Sequence, residues 1–514
     1  MTPILQSFSQ GRWHSSQGDT SPLLDASTGE EVARIPKSGP DVAAMLQFAR
    51  KIGGPELRKL TFTQRATILK DLGKYLFSHI DEFVEISTRT GATRRDTTVD
   101  VDGGIGTIAV YASKAGRELP DRTILHDGEV ELLGKGGTFG GKHILSSKLG
   151  AAVQINAFNF PVWGMLEKFA PAFLAGMPSV VKPASQTAYL TEAVVRRIVD
   201  SGLLPEGAIS LLCAGPDGLI ENLTSQDTVS FTGSASTAQA LRSHQVITSR
   251  SVSFNAEADS LNCSILGTDV IPEDEEFGVY IDQLVNEMVV KAGQKCTAIR
   301  RAFVPVSMMD DVIEAVAARL SEVIVGNPSD QSVQMGPLAS RGQREEVRNN
   351  TAKLMTAAEV VYGDLNKVSL VGADAEQGAF LSPILLKAND VYASEIHSVE
   401  AFGPVCTLIP YQTFGEVIEA ASMGEGSLVA SIVTADVALA KVLVAGLAPW
   451  HGRILVVESS SAGESTGHGI AMPQMLHGGP GRAGGGEELG GLRAMKHYMQ
   501  RTAVQGNPSF LETL

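Results

Sequence analysis

Cysteine is scarce in this 514-residue chain: Cys213, Cys263, Cys296 and Cys406 stand far apart. No C-x-x-C pair occurs and no cysteine is spaced with histidine as zinc ligands are, so neither a metal site nor a disulfide framework is expected. Positive charge is also short. Against 57 Asp and Glu there are 42 Lys and Arg, a formal net charge of −15. A surface of that sign repels phosphate backbones, which argues against a nucleic-acid partner. No run reaches the roughly 20 apolar residues of a membrane-spanning helix. The opening MTPILQSFSQGRWHSSQ lacks the basic-then-apolar pattern of a signal peptide. A cytoplasmic chain with no membrane partner is the expectation. Absent too is the G-x-G-x-x-G that usually marks a dinucleotide-binding unit.

What is present is the balance of an ordinary globular protein, 43% hydrophobic and 19% charged residues, long enough for about two to four folding units. The first 125 or so residues read as largely helical. Segments 41–51 and 61–90 carry apolar residues at helical spacing, with Thr61 as a cap and Gly91 as a stop. From about Ile124 short alternating runs, GEVELL and GGKHILSSKL, read as a sheet segment with tight turns. The strands AAVQIN, SVVKP, AISLLCA and TVSFTG then alternate with helices at 162–176, 189–201 and from Ala235. Such alternation implies a parallel, doubly wound sheet with its binding crevice at the strand ends. A second series runs from Asn262 past Arg453, with strands RRAFVPV and SLVASIV and a helix at 308–325. Two α/β domains are the economical reading. The stretch HGGPGRAGGGEELGG, 477–491, has the glycine content of a linker. Because the ordered-looking LRAMKHYMQRTAVQG follows it, a loop packed against a ligand or another backbone is at least as good a reading.

Three of the four cysteines lie inside apolar runs, SLLCAG, LNCSIL and GPVCTLI, and read as packing. Cys296 is different: in VVKAGQKCTAIRR, Gly293 permits a tight turn and Lys295 is placed to favour a thiolate. Glu257 stands at a strand end, where a carboxylate can act as a general base, although a lone glutamate is usually a solvated charge. Asn159, in INAFNFPVWG, follows a strand and can be a turn former or an oxyanion donor. Lys182 ends the next strand, within reach of a ribose or phosphate unless it is a plain surface lysine. The turn at Phe231, Thr232, Gly233 and Ser234 opens a helix whose free amides suit a phosphate.

Taken in order, NFP at Asn159, VVKPAS at Lys182, FTGS at Gly233, the glutamate Glu257, GQKC at Cys296 and EAFGPV at Glu400 resemble the aldehyde dehydrogenase superfamily over nearly the whole chain. The resemblance implies an α/β fold in three parts: a Rossmann-like cofactor domain (1–126 and 151–257), an α/β catalytic domain (258–476), and a small β oligomerisation arm with a C-terminal active-site loop (127–150 and 477–514). By the same resemblance Cys296 attacks the aldehyde, Asn159 with the Cys296 amide steadies the oxyanion, and Glu257 activates the hydrolytic water. Lys168 and Glu488 are implied in proton relay. Lys182 and Ser185 would hold the adenosine ribose, Gly233 and Ser234 the pyrophosphate, and Glu400 with Phe402 the nicotinamide ribose. Ile155, Ala157, Phe158, Ala184, Thr232 and Ala258 would complete the cofactor site. A homodimer or homotetramer is implied.

Departures from the family pattern sharpen the expectation. Ser185 stands where NAD-preferring relatives often carry a glutamate that repels a 2′-phosphate, so NADP is expected, with NAD possible. E-L-G-G-K becomes EADSLN, Phe158 replaces a tryptophan, and HGGPGRAGGGEELGGL differs from the usual P-F-G-G loop. With HYMQRTAVQG these features resemble a branch acting on CoA-linked semialdehydes in aerobic aromatic degradation. Some members of it carry an appended hydratase; a chain ending at Leu514 is expected to be the stand-alone form. Two alternatives remain: a CoA-acylating dehydrogenase, against which Glu257 counts, and a catalytically silent homologue, against which Cys296 and Glu257 together count.

Overall fold

A computed structural model describes residues 2–16 and 18–514; Met1 and Gln17, part of the opening read above for a signal pattern, lie outside the described residues. Among the described residues no helix is long and apolar enough to cross a membrane. Two seven-stranded sheets organise the chain. The first orders its parallel strands Ser253–Glu257, Thr228–Thr232, Ala152–Ile155, Ser179–Lys182, Ile209–Leu211, and adds Ser7–Ser9 and Arg12–His14 antiparallel at one edge. Later strands flank Ala152–Ile155 on both sides, so the winding direction reverses there and a crevice opens at the strand ends.

The second sheet runs Ala358–Tyr362, Ile384–Ala388, Val405–Tyr411, Arg301–Pro305, Cys263–Leu266, Ser427–Val433, His451–Val457, parallel except at Ala358–Tyr362. Cys263–Leu266 and Ser427–Val433 are buried along their whole length, as expected of strands covered on both faces. A smaller sheet pairs Gly140–Ser147 with Met499–Gly506 from end to end, bringing the C-terminal strand back to the middle of the chain.

Two helical expectations need correction. Among the described residues, the first 36 positions are not helical but hold four strands of three to six residues, Ser7–Ser9, Arg12–His14, Thr20–Leu24 and Glu31–Pro36; strands so short carry too little period to read. The single helix expected over 61–90 is two, Phe62–Phe77 and Ile80–Thr88. Thr61 does cap it, in a reciprocal box with Gln64. The break comes where Ser78 Oγ, at 2.7 Å, and His79 Nδ1, at 2.9 Å, both turn back on the Tyr75 carbonyl and compete with the helix ladder.

The connection that carries Cys296 is unusual. Between helix Glu275–Val289 and strand Arg301–Pro305, three successive residues are left-handed: Lys291 (φ 56°), Ala292 (φ 49°) and Gly293 (φ 67°). For a residue with a side chain this costs on the order of 1–3 kcal/mol. Buried partners offset it. The Lys291 N–H donates to Asp96 Oδ1 at 2.7 Å, Gln294 Nε2 donates to the Lys291 carbonyl at 3.0 Å, and Arg300 Nη2 donates to the Gly293 carbonyl at 2.9 Å. A Cβ on Gly293 would collide with the Gly403 carbonyl oxygen. Gly293→Ala should therefore lower the unfolding free energy by about 1–3 kcal/mol, read by denaturant titration. Gly106→Ala, a helical site where a Cβ meets nothing, should be neutral or slightly stabilising. Equal stability of the two variants would show that the loop relaxes at no cost.

Candidate active site

Strand ends of the first sheet and loops of the second face one another across a cleft of about 640 Å³. Of the residues expected to hold a cofactor, Ala157, Phe158, Ala184, Thr232, Gly233, Ser234, Ala258, Glu400 and Phe402 line it. Three do not. Ile155 ends the central strand just short of the cleft. Lys182 is buried and its Nζ donates to the Pro183 carbonyl at 2.7 Å. Ser185 is exposed in an adjoining depression that meets the cleft at Gln186. At the helix start after Ser234, the Ala235 N–H already donates to Asp259 Oδ1 at 2.9 Å, so one amide expected to meet a phosphate is engaged.

A second cavity of about 60 Å³ shares Ala157, Asn159, Thr232, Glu257 and Cys296 with the cleft and adds Phe160, Trp163, Glu167, Thr297 and His477. Cys296 thus opens on both spaces. Asn159 Nδ2 donates to the Gln294 carbonyl at 3.0 Å, which ties it to the loop that carries Cys296. Glu257 Oε2 lies 3.2 Å from His477 Nε2, while its Oε1 is buried without a partner. The same His477 nitrogen is 3.8 Å from Cys296 Sγ. Burial, then the neighbouring Glu257 carboxylate, pushes the Cys296 thiol well above its ordinary range. Burial alone would raise Glu257 too, but His477 and Lys168 prevail and hold it down to about 2. Lys295, expected to favour a thiolate, is instead paired with Glu287 at 2.7 Å, both buried.

The pattern of the aldehyde dehydrogenase family matches residues 13–504. The chain belongs to that family. It is 43% identical over 478 residues, 93% of each chain, to the 3,4-dehydroadipyl-CoA semialdehyde dehydrogenase of Aromatoleum evansii. Lactaldehyde dehydrogenase from Escherichia coli superposes over 98% of this chain and 99% of its own with a TM-score of 0.84 at 22% identity. A betaine aldehyde dehydrogenase variant from Staphylococcus aureus, in complex with NAD+, does so over 98% and 97% with a TM-score of 0.84 at 21% identity. The fold is the α/β aldehyde dehydrogenase fold.

Beside Cys296 of this aldehyde dehydrogenase lies a buried charge cluster. Lys168 Nζ donates to Glu167 Oε1 at 3.1 Å and to Glu488 Oε2 at 3.0 Å. Glu167, Glu257 and Glu488 bring carboxylate oxygens within 4.8 Å of one another. Lys168 and Glu488, named from the sequence, are thus together, but sequence reasoning missed Glu167, His477 and Arg482. Glu167 precedes Lys168, and helical neighbours diverge by about 100°, so adjacency gave no reason to expect both. His477 is the cross-strand partner of Glu488 in a hairpin of Leu476–Gly478 and Glu487–Leu489; the glycines between them were visible, the pairing was not. Arg482, from the same loop, reaches the cleft within 3.8 Å of Asp259.

Burial first, and Glu167 and Glu257 besides, push the Glu488 carboxyl from 4.5 up to about 8 against the pull of Lys168. Folding therefore takes up a proton at Glu488. The stability this contributes is whole below pH 4.5 and is lost as pH rises through about 8. Glu488→Gln, neutral throughout, should flatten the fall in Tm as pH rises from 4.5 to about 8. An unchanged slope would place the proton elsewhere.

Proposed function

We propose that the chain oxidises an aldehyde to the carboxylic acid with a nicotinamide cofactor, through a thiohemiacetal and then a thioester on Cys296. The observation that carries this reading is the position of Cys296 between a dinucleotide-sized cleft and a narrow cavity, with Asn159 and Glu257 on the wall common to both. The cleft suits a hydroxyl-rich ligand: Thr232 Oγ1 is buried there without a hydrogen-bond partner, and the buried Glu400 carboxylate beside it is met by Arg300 Nε at 3.5 Å. A nicotinamide cofactor would be held by Thr232, Gly233, Ser234, Glu400 and Phe402, which line the cleft beside Cys296, and would supply the hydride acceptor. Residues 1–126 with 151–257 then serve the cofactor, and 258–476 serve the nucleophile. Ser185, standing where the family resemblance puts a glutamate in NAD-preferring relatives, supports NADP over NAD.

In the first half-reaction the Cys296 sulfur adds to the carbonyl carbon. The oxygen gains charge, and the Cys296 amide with the second N–H of Asn159 Nδ2 stabilises it. Once hydride has left, Glu257 accepts a hydrogen bond from the attacking water and takes its proton only as the new C–O bond makes that water acidic. Glu488, Lys168 and Glu167 carry protons away from Glu257. A water-activating glutamate supports release as free acid rather than transfer to CoA. Similarity to a 3,4-dehydroadipyl-CoA semialdehyde dehydrogenase over 93% of the chain supports 3,4-dehydroadipyl-CoA semialdehyde as the substrate. The narrow cavity of about 60 Å³ suits a slim aliphatic aldehyde end. Exposed Leu132, Leu133, Phe139 and Phe510 around the small sheet support a homodimer or homotetramer.

Cys296→Ala should abolish NADPH formation while the protein stays folded and binds cofactor; full residual turnover would remove the nucleophile assignment. With the parent enzyme, CoA-linked semialdehydes should be oxidised in preference to free ones, with higher kcat/KM for NADP than for NAD and no need for added CoA thiol. Strict dependence of product on CoA thiol would make the enzyme acylating, and a clear NAD preference would overturn the reading of Ser185.

A further inference from the structure

The Cys296 sulfur begins as a thiol, because burial and the nearby Glu257 charge both oppose ionisation. It needs a proton acceptor within reach. Two groups stand beside it. Glu257 is a weak one, since His477 and Lys168 hold its carboxyl at about 2 despite burial. His477 is the stronger. Burial opposes its protonation, yet the attraction of Glu257, followed by Glu167 and Glu488, prevails and raises its proton affinity.

The geometry is specific. His477 Nε2 lies 3.8 Å from Cys296 Sγ and 3.2 Å from Glu257 Oε2, so one nitrogen faces both groups. The ring is held there by the hairpin of Leu476–Gly478 and Glu487–Leu489. Gly478 is left-handed (φ 142°), and a Cβ on it would strike the Gly486 carbonyl, so only glycine lets the two strands close this tightly. The charged and titratable groups around His477 are Glu257 at its strand end, Cys296 on its loop, Glu167 and Lys168 on helix Trp163–Ala175, and Glu488 across the hairpin.

We propose that His477 is a catalytic residue that accepts the Cys296 thiol proton, with Glu257 holding the resulting imidazolium in place. The S–H bond breaks with its electron pair left on sulfur. The Nε2 lone pair forms the new N–H bond, and that N–H donates to Glu257 Oε2. No further reactant is required. The importance of this step for turnover rests on the thioester chemistry proposed above; the proton transfer does not.

The test is the pH dependence of Cys296 alkylation by iodoacetamide in the full-length protein, where Cys213, Cys263 and Cys406 are buried and so protected. His477→Gln and His477→Asn should each move the midpoint upward by about one unit or more and slow alkylation at pH 7 about tenfold. Cofactor binding by fluorescence serves as the check on folding. Glu257→Gln, which removes a negative charge beside the sulfur, should leave the midpoint unchanged or lower it. A midpoint raised by Glu257→Gln and not by the His477 variants would make Glu257 the acceptor and overturn the proposal, as would a midpoint that no variant moves. Because alkylation involves neither aldehyde nor cofactor, a protein that oxidises no aldehyde would still give this result.

Discussion

The left-handed backbone from Lys291 to Gly293 is the constraint on which the rest of the site depends, and one guanidinium secures most of it. Arg300 Nη2 donates to the Gly293 carbonyl at 2.9 Å and the Lys295 carbonyl at 3.2 Å, while Nη1 donates to the Gly403 carbonyl at 2.8 Å. Its plane sits 5.3 Å from the Phe402 ring centroid. A rigid fork of donors thus joins the Cys296 loop to the segment bearing Glu400 and Phe402. From the opposite side Asp96 holds Lys291, and Asp100, one turn further on, accepts from the Val162 and Trp163 amides at 3.2 and 2.8 Å. The helix that starts there carries Glu167 and Lys168. The turn that holds Asp96 and Asp100 therefore sets the distance between the Cys296 loop and the charge cluster.

That cluster is expensive to bury and is arranged so that the charges answer one another. Three carboxylates surround Lys168 and the His477 ring, and a further ion pair joins Lys295, next to Cys296 in the same loop, to Glu287. In a medium of low polarizability like charges this close cannot all ionise, so protons are shared within the group. Carboxyls of one type then behave as opposites: Glu257 is held at about 2 beside an imidazole, while Glu488 is pushed to about 8 beside two carboxylates. Divergent proton affinities at adjacent groups are what acid–base chemistry near neutrality requires.

The glycine-rich stretch works by close approach rather than by flexibility. Side chains at Gly479, Gly484 and Gly486 would meet the backbone of Ser427 and Ala256, on strands of the two different sheets. The loop is wedged between the sheets, where it brings His477 and Glu488 to one space and Arg482 to the other. Residues with Cβ atoms would hold it away.

The chain itself determined a good deal. Alternating strand and helix texture after Ala151, the NFP, GQKC and EAFGPV segments, and the lone polar setting of Cys296 specify an α/β aldehyde dehydrogenase fold and the meeting of Asn159, Glu257 and Cys296, because local pattern and motif order survive in any reading of the residues. The short N-terminal strands and the break at Ser78 were not legible, since elements of a few residues are settled by what they pack against. Lys295 was misjudged, because a charge's partner, here Glu287, belongs to the fold and not to its neighbours in sequence. His477 is the clearest case. It lies 181 residues from Cys296 and 220 from Glu257 in the chain, and only a backbone stripped of side chains, folded against two sheets at once, brings its nitrogen between them.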